Sequence, residues 1–585
     1  MRTSRLFAPT LREDPAEAEV DSHKLLLRAG FIKQIAAGIF AFLPLGLRSL
    51  RKIENIIREE HDNIGAQEVL LTVLQPRELW EEAGRWNLYG EILFRLKDRR
   101  GRDLALGPTH EEPITDIVRS LVKSYRELPI SLYQIQTKFR DELRPRFGLI
   151  RGREFLMKDL YSFHETPEDL EAFYKQVSRA YERIFSRLGL TYHLVEADPG
   201  PIGGTANHEF LVPGLSGESE FFICEACGYK TNSEKATSKI VAMPLLVNIS
   251  PLKEVYTPQT DSIEKLSKFL KVEPCEIVKT MVYMADGKPV VVLIRGDYEV
   301  NEIKLSNKLL ASDLRVASAE EVLELFSFPV GFLGPVGLPI NTSLLVDESV
   351  YTITSGIVGA NKEDYHLSGF NPSRDIQAGV LRGDFRTVKG GDLCPKCGES
   401  LKGMVGMEVG HVFNLGLKYS KVMKATFTNK DGKEQEYLMG CYGVGISRTL
   451  QSIAEEHHDE FGFKWPITSA PYEVIIIPID YCDTGQKKAA EELYSNLKEE
   501  GVEVVLDDRE ITPGIKFNDA DLIGYPIRIT ISTRTLKQDT VEVILRKDRS
   551  IKLIPINEAK VYLKELKASL FNELKEKTPP LLTSS

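Results

Sequence analysis

From Leu47 onward, apolar side chains recur every three to four positions, at Leu50, Ile53, Ile56 and Ile57, with Arg, Lys and Glu between them. That spacing predicts an amphipathic helix over residues 47–63 that stops near Gly65. Residues 69–74 carry a strand pattern, ended by Pro76. Residues 131–140 alternate, placing Tyr133, Ile135, Thr137 and Phe139 on one face and Gln134, Gln136, Lys138 and Arg140 on the other. If the strand continues, Glu142 joins the polar face. After a loop, Arg151, Arg153 and Phe155 align by the same period, so an antiparallel hairpin is expected.

Residues 437–448 read as a strand with Gly440, Gly443 and Gly445 that runs into a helix near Ser447; the glycines would let a flat ligand lie against backbone. The stretch between the hairpin and this strand is far too long for a loop, so an inserted domain is expected there. Cys224-Glu-Ala-Cys227-Gly and Cys394-Pro-Lys-Cys397-Gly mark its edges. Strands at 474–479, 502–506 and 527–531, with helices at 486–500 and around Phe517, predict a small terminal α/β domain.

At 585 residues the chain needs several cores. No apolar run is long enough for a signal peptide or a membrane span, so a cytoplasmic location is expected. The net charge of -10 excludes a uniformly basic surface and leaves nucleic-acid binding to local patches, such as the arginines from 140 to 153 and the basic run from 95 to 102. Either patch alone is also compatible with a solvated turn. Seven cysteines argue for thiols or metal ligands over a disulfide framework.

Phe139-Arg140-Asp141-Glu142 with Arg151-Gly152-Arg153-Glu154-Phe155 resembles the second signature motif of class II aminoacyl-tRNA synthetases, Arg-x-Glu followed by Arg-x-x-x-Phe. Gly440-Cys441-Tyr442-Gly443-Val444-Gly445-Ile446-Ser447-Arg448 is similar to the third motif, and the helix, strand and Pro76 to the first. Ser447 stands where the family usually has Glu, a departure shared with the prolyl branch. Gly107-Pro108-Thr109-His110-Glu111-Glu112 and Gly406-Met407-Glu408-Val409-Gly410-His411 also resemble the bacterial-type prolyl-tRNA synthetase family.

The resemblance implies an antiparallel catalytic sheet with helices, formed by residues 1–223 and 406–466. It implies an inserted mixed α/β editing domain over 224–405 and an α/β anticodon-binding domain over 467–585. Activation joins two anions, so fixed cations are needed. By the resemblance Arg140 contacts the α-phosphate of ATP, Arg151 and Arg448 the distal phosphates, and Phe155 stacks on adenine with Arg448 on its other face, beside Gly443 and Gly445. Arg140, Glu142 and Arg448 carry the catalysis; Thr109, Glu111, Glu142, His411 and Cys441 form the proline pocket; Glu408 is a candidate for Mg²⁺.

A proline pocket cannot shut out alanine, because missing methylenes are worth only about 1–3 kcal/mol each, so hydrolytic editing is implied. Lys279, Gly331, Gly334, Asp347 and His366 match its landmarks, with glycine amides offered to the ester carbonyl. Asp508, Arg509 and Lys516 match the anticodon-binding domain. The cysteine pairs suit a structural Zn²⁺; four reduced thiols are the alternative. The expected partners are tRNA(Pro), proline, ATP and a second copy in a homodimer. Two other readings are an adenylating relative that charges no transfer RNA and a catalytically silent RNA-binding protein. The terminal domain stands against the first, and Arg140, Glu142, Arg151, Phe155 and Arg448 against the second.

Overall fold

The computed structural model describes residues 1–582 except 199, 203, 205, 242–249, 312, 340, 377 and 378. The chain forms two compact units, one of residues 1–195, 199–219 and 405–585, the other of residues 196–198 and 220–404.

In the first unit the labelled elements are helices α1 (Pro44–Asp62), α2 (Glu111–Leu121), α3 (Pro167–Arg187) and α4 (Ile446–Glu456). The strands are β1 (Ile130–Phe139), β2 (Glu154–His164), β3 (Ala206–Pro213), β4 (Lys402–Gly416) and β5 (Leu438–Gly445). They pair antiparallel as β3-β4-β5-β2-β1, and Gln67–Glu68 adds a short parallel edge to β1. Tyr133, Leu160, Tyr442 and Val412 lie opposite one another across four strands and belong to one core cluster with Leu50, Ile53 and Ile57 of α1. Ile53 is fully buried, and its truncation to alanine would cost about 2–5 kcal/mol. The residues one step on, Gln134, Asp159, Gly443 and His411, line up on the opposite face.

Two predicted stretches come out differently. Residues 69–73 are not strand. Val69 N–H still donates to the Tyr133 carbonyl (2.7 Å) and the Val73 carbonyl accepts from Gly107 N–H (2.9 Å), but between them Leu71 is held by side chains, its N–H donating to Gln134 Oε1 (3.0 Å) and its carbonyl accepting from Gln136 Nε2 (3.2 Å). β1 also stops at Phe139, and Glu142 N–H turns back to the Arg140 carbonyl (2.8 Å), so Glu142 does not extend the polar face.

The terminal part of this unit is a five-stranded sheet in the order Val504–Leu506, Val474–Pro478, Ile527–Ile531, Thr540–Leu545, Ile551–Pro555. The first residues of the chain lie along its edge, where Arg2 pairs with Glu491 (2.7 Å) and Leu506 N–H donates to the Met1 carbonyl (3.0 Å).

The second unit has its own core around a five-stranded mixed sheet whose centre is Val278–Ala285 and Lys288–Arg295, and a three-stranded sheet of Lys253–Tyr256, Tyr365–Phe370 and Gly356–Gly359. Among the described residues no helix is long and apolar enough to cross a membrane.

Candidate active site

The alternation of β1 and β2 puts Lys138 opposite Phe155 and Gln134 opposite Asp159 on the face away from the helical core. The Arg140 guanidinium carbon is 5.2 Å from the Phe155 ring centroid, and Arg140 Nη2 donates to the Pro108 carbonyl (3.4 Å). Arg151 Nε donates to Glu142 Oε2 (2.8 Å), so Glu142 has a guanidinium as its partner. Arg448, in the first turn of α4, donates to the carbonyls of Ile150 (2.9 Å) and Glu408 (2.7 Å), and its guanidinium lies 3.3 Å from the Glu408 carboxylate. Arg140 thus occupies the Phe155 ring, and Arg448 is held by Glu408. Gly440 serves packing, because a Cβ there would fall 2.1 Å from the Tyr442 hydroxyl. A Cβ at Gly443 would meet only the Met157 sulfur at 3.8 Å, which leaves open space on the site face, and at Gly445 it would meet Arg448 Cβ at 3.3 Å.

Thr109, Glu111 and Cys441 come together. Thr109 Oγ1 donates to Glu111 Oε2 (2.6 Å), and the Cys441 thiol to Glu111 Oε1 (3.3 Å). Glu111 is fully buried in the first turn of α2, where helix dipole and free N–H groups favour an anion. Burial would raise its carboxyl, but Arg85 and the Thr109 hydroxyl outweigh burial and hold it below the ordinary value. His411 stacks on Phe413 (3.7 Å between centroids), with Nδ1 3.2 Å from Glu408 and 3.7 Å from Glu209. One ligand atom each of Glu209, Glu408 and His411 lies within 4.8 Å of the others. Burial pushes the Glu408 carboxyl up, yet His411 and Arg448 bring it down to about 2.

A second layer escaped the sequence reading. Lys138 is fully buried, its ammonium 2.7 Å from Asp159 and 2.8 Å from His110 Nδ1. Tyr161 donates to Asp159 (2.9 Å) and accepts from His110 N–H (3.0 Å), which fixes the segment carrying Thr109 and Glu111. Burial, with the Lys138 charge, lowers the His110 imidazole to about 4 and keeps it neutral. The polar face of β1 was the available signal for Lys138; nothing in the sequence singled out Asp159.

In the second unit, Cys224 Sγ is 3.4 Å from Cys397 Sγ and Cys227 Sγ 3.6 Å from Cys394 Sγ, with one sulfur of each of the four within 4.8 Å of the others. Zn–S bonds of about 2.3 Å in a tetrahedron set sulfur edges near 3.8 Å, so the donor set fits zinc. The loop from Gly331 meets His366, whose ring is 5.4 Å from that of Phe332. His366 is lowered to about 4 by burial. The other residues expected of an editing site have partners within the unit. The Gly334 amide is not free, because it donates to Asn361 Oδ1 (2.7 Å), and a Cβ at Gly331 would strike Asp261. Asp347 is fully buried and caps the following turn through Ser349 N–H (2.8 Å) while accepting from Phe385 N–H (2.7 Å). Lys279 donates to the Tyr298 carbonyl (2.7 Å) and Glu299 (2.6 Å).

In the terminal domain, Lys516 is buried and donates to the Pro478 carbonyl (3.0 Å). Arg509 is clamped by Asp507 and Asp519 (both 2.7 Å), and Asp508 accepts from Ser4 N–H (2.9 Å) and hydroxyl (2.7 Å).

Residues 94–457 match the family described as tRNA synthetase class II core domain (G, H, P, S and T), and residues 473–566 the anticodon binding domain. The chain is 50% identical over 557 residues to a Proline--tRNA ligase of Thermotoga maritima, covering 95% of this chain and 96% of the relative. It is 49% identical over 560 residues to one of Desulforamulus reducens, covering 96% and 98%. Among solved structures, a prolyl-tRNA synthetase of Cryptosporidium parvum complexed with L-proline and AMP superposes with a TM-score of 0.58 at 15% identity, covering 97% of this chain and 79% of that one. At that identity the likeness is one of fold.

Proposed function

Because the chain belongs to the prolyl-tRNA synthetases within the class II aminoacyl-tRNA synthetases, we propose that the two steps of its ligase reaction run on the sheet face that carries Phe155, Asp159, Cys441 and Gly443. A proline carboxylate oxygen attacks the α-phosphorus of ATP, the bond to the bridging oxygen breaks, and diphosphate leaves with the electron pair. A ribose hydroxyl at the 3′ end of tRNA(Pro) then attacks the activated carbonyl and AMP leaves. The observation that carries the pocket is the bonding of Glu111 to Thr109 and Cys441, a buried carboxylate for the secondary ammonium of proline.

Arg140 serves the α-phosphate, where negative charge grows in the transition state, and Arg151 and Arg448 serve the distal phosphates. Arg140 leaves its place over Phe155 as adenine takes the ring. Glu142 holds Arg151 in line, Glu408 would hold the Mg²⁺ that ATP brings and offset phosphate charge there, and His411 lines the proline pocket.

Residues 220–404 act as the editing unit for alanyl-tRNA(Pro), with the Gly331–Gly337 loop and His366 at the hydrolytic site, and Lys279 as its cation. Cys224, Cys227, Cys394 and Cys397 hold one structural Zn²⁺. Residues 473–566 read the anticodon loop, with Arg509 the accessible cation near Asp508. The enzyme works in the cytosol as a homodimer through the first motif. Exchange of pyrophosphate into ATP across all twenty amino acids tests the assignment. Proline should dominate, with alanine and cysteine weak, and preference for any other amino acid overturns it.

A further inference from the structure

Arg85 follows Gly84 in the short helix Arg85–Leu88, and its side chain is 2% exposed. Nη1 donates to Glu112 Oε1 (2.7 Å) and Glu111 Oε2 (3.1 Å). Its Nε and Nη2 are buried without a hydrogen-bond partner. What surrounds them is aromatic: the guanidinium carbon lies 5.2 Å from the Trp80 ring, 4.8 Å from Tyr89 and 5.2 Å from Tyr419. Trp80 in turn donates to Gln75 (2.8 Å), and Gln75 to the Thr109 carbonyl (2.9 Å). One cage therefore reaches both ends of the Thr109–Glu111 segment.

We propose that Arg85 is the positioning residue for proline recognition, holding Glu111 ionised and aimed at the substrate's secondary ammonium while Glu112 shares the same guanidinium nitrogen. The proposal rests on the reading of Glu111 as the proline carboxylate. The charge count gives the reason. Glu111 and Glu112 are both fully buried. With Arg85 the group carries one net negative charge, enough for one ammonium. Without it, two buried carboxylates lie side by side with the neutral Thr109 hydroxyl and Cys441 thiol as donors, and one proton bound by the pair costs less than two ionised charges. Burial and the neighbouring Glu111 charge, against Arg85, already push the Glu112 carboxyl up to about 7. The other groups facing the pair are Lys418, Tyr89, Tyr161, Tyr419 and Cys441, with Lys138, Asp159 and His110 behind. None of them is a cation in contact with either carboxylate.

Proline-dependent pyrophosphate exchange between pH 6 and 9 tests this on the full-length enzyme. Arg85→Met should raise the KM for proline at least tenfold, most at low pH, with the KM for ATP unchanged. Adding Glu112→Gln to that variant leaves a single carboxylate and should bring the proline KM back toward wild type and flatten its pH profile. A structural role would give no such recovery, so failure of the double variant to recover overturns the proposal. Equal shifts in both KM values do the same. Should Arg85→Met not fold, Arg85→Lys should give a smaller rise in proline KM alone, and a rise shared with ATP counts against the proposal. Glu111→Gln separates the two readings: a wild-type proline KM there sinks the pocket assignment itself.

Discussion

The Arg140 guanidinium rests over the Phe155 ring, 5.2 Å from its centroid, with only a 3.4 Å bond to the Pro108 carbonyl and a buried Nε that has no hydrogen-bond partner. A side chain so lightly tied contributes little to the fold and is free to swing to a phosphate. Arg140→Ala should cut pyrophosphate exchange by about 10²–10³-fold, the loss typical of one charge-stabilising donor. The melting temperature should move by less than a few degrees. Exchange near the wild-type rate would remove Arg140 from the reaction.

Editing and activation should separate at Lys279. Its ammonium is spent on the Tyr298 carbonyl and on Glu299, in the unit that carries none of the ATP-facing residues. Lys279→Ala should leave proline-dependent exchange unchanged and sharply reduce hydrolysis of alanyl-tRNA(Pro). Loss of both activities together points to a structural role, and unchanged hydrolysis sinks the editing role.

Protein prepared without chelator should contain about one Zn²⁺ per chain by elemental analysis, and Cys227→Ser should lower that content and the unfolding temperature together. Cys227 is exposed whereas Cys224 is buried, so the serine tests the metal with little change to packing. A metal-free wild type would dispose of the staple.

Acid should loosen the inserted unit through His366. Burial holds its imidazole at about 4 against the ordinary 6.5. The unfolded chain takes up the proton near 6.5 and the folded one only near 4. The stabilisation is therefore fully present above pH 6.5 and is lost as pH falls toward 4, at about 1.4 kcal/mol per unit. His366→Gln should flatten the dependence of the unfolding temperature between pH 7 and 4.5; parallel curves for the two proteins would contradict it.

The fold class could be read because its main elements are periodic. The three-to-four spacing of Leu50, Ile53 and Ile57 and the alternation from Tyr133 to Phe139 each serve a buried face, and burial imposes the period. Residues 69–73 misled because Gln134 and Gln136, from another strand, take up the Leu71 backbone in the middle of the run, which no local pattern reports. Arg85 was invisible for the same reason: its meaning lies in Glu111, Glu112 and Tyr419, distant in sequence, as much as in the nearby Trp80 and Tyr89 rings. In the terminal domain Lys516 looked like a free cation and turned out to be an internal strut on the Pro478 carbonyl.

β2 and β5 lie side by side, with Met157 opposite Gly445 and His164 opposite Leu438. The ribosome must lay down roughly 290 residues between the first of these partners and the second, on the order of 15–60 s at ordinary elongation rates. Throughout that interval β2 has a bare edge and the phosphate-binding face lacks its far wall. The sheet therefore cannot close before the inserted unit has left the exit tunnel. The order of synthesis completes the inserted unit no later than the sheet face on which the ligase reaction is proposed to run.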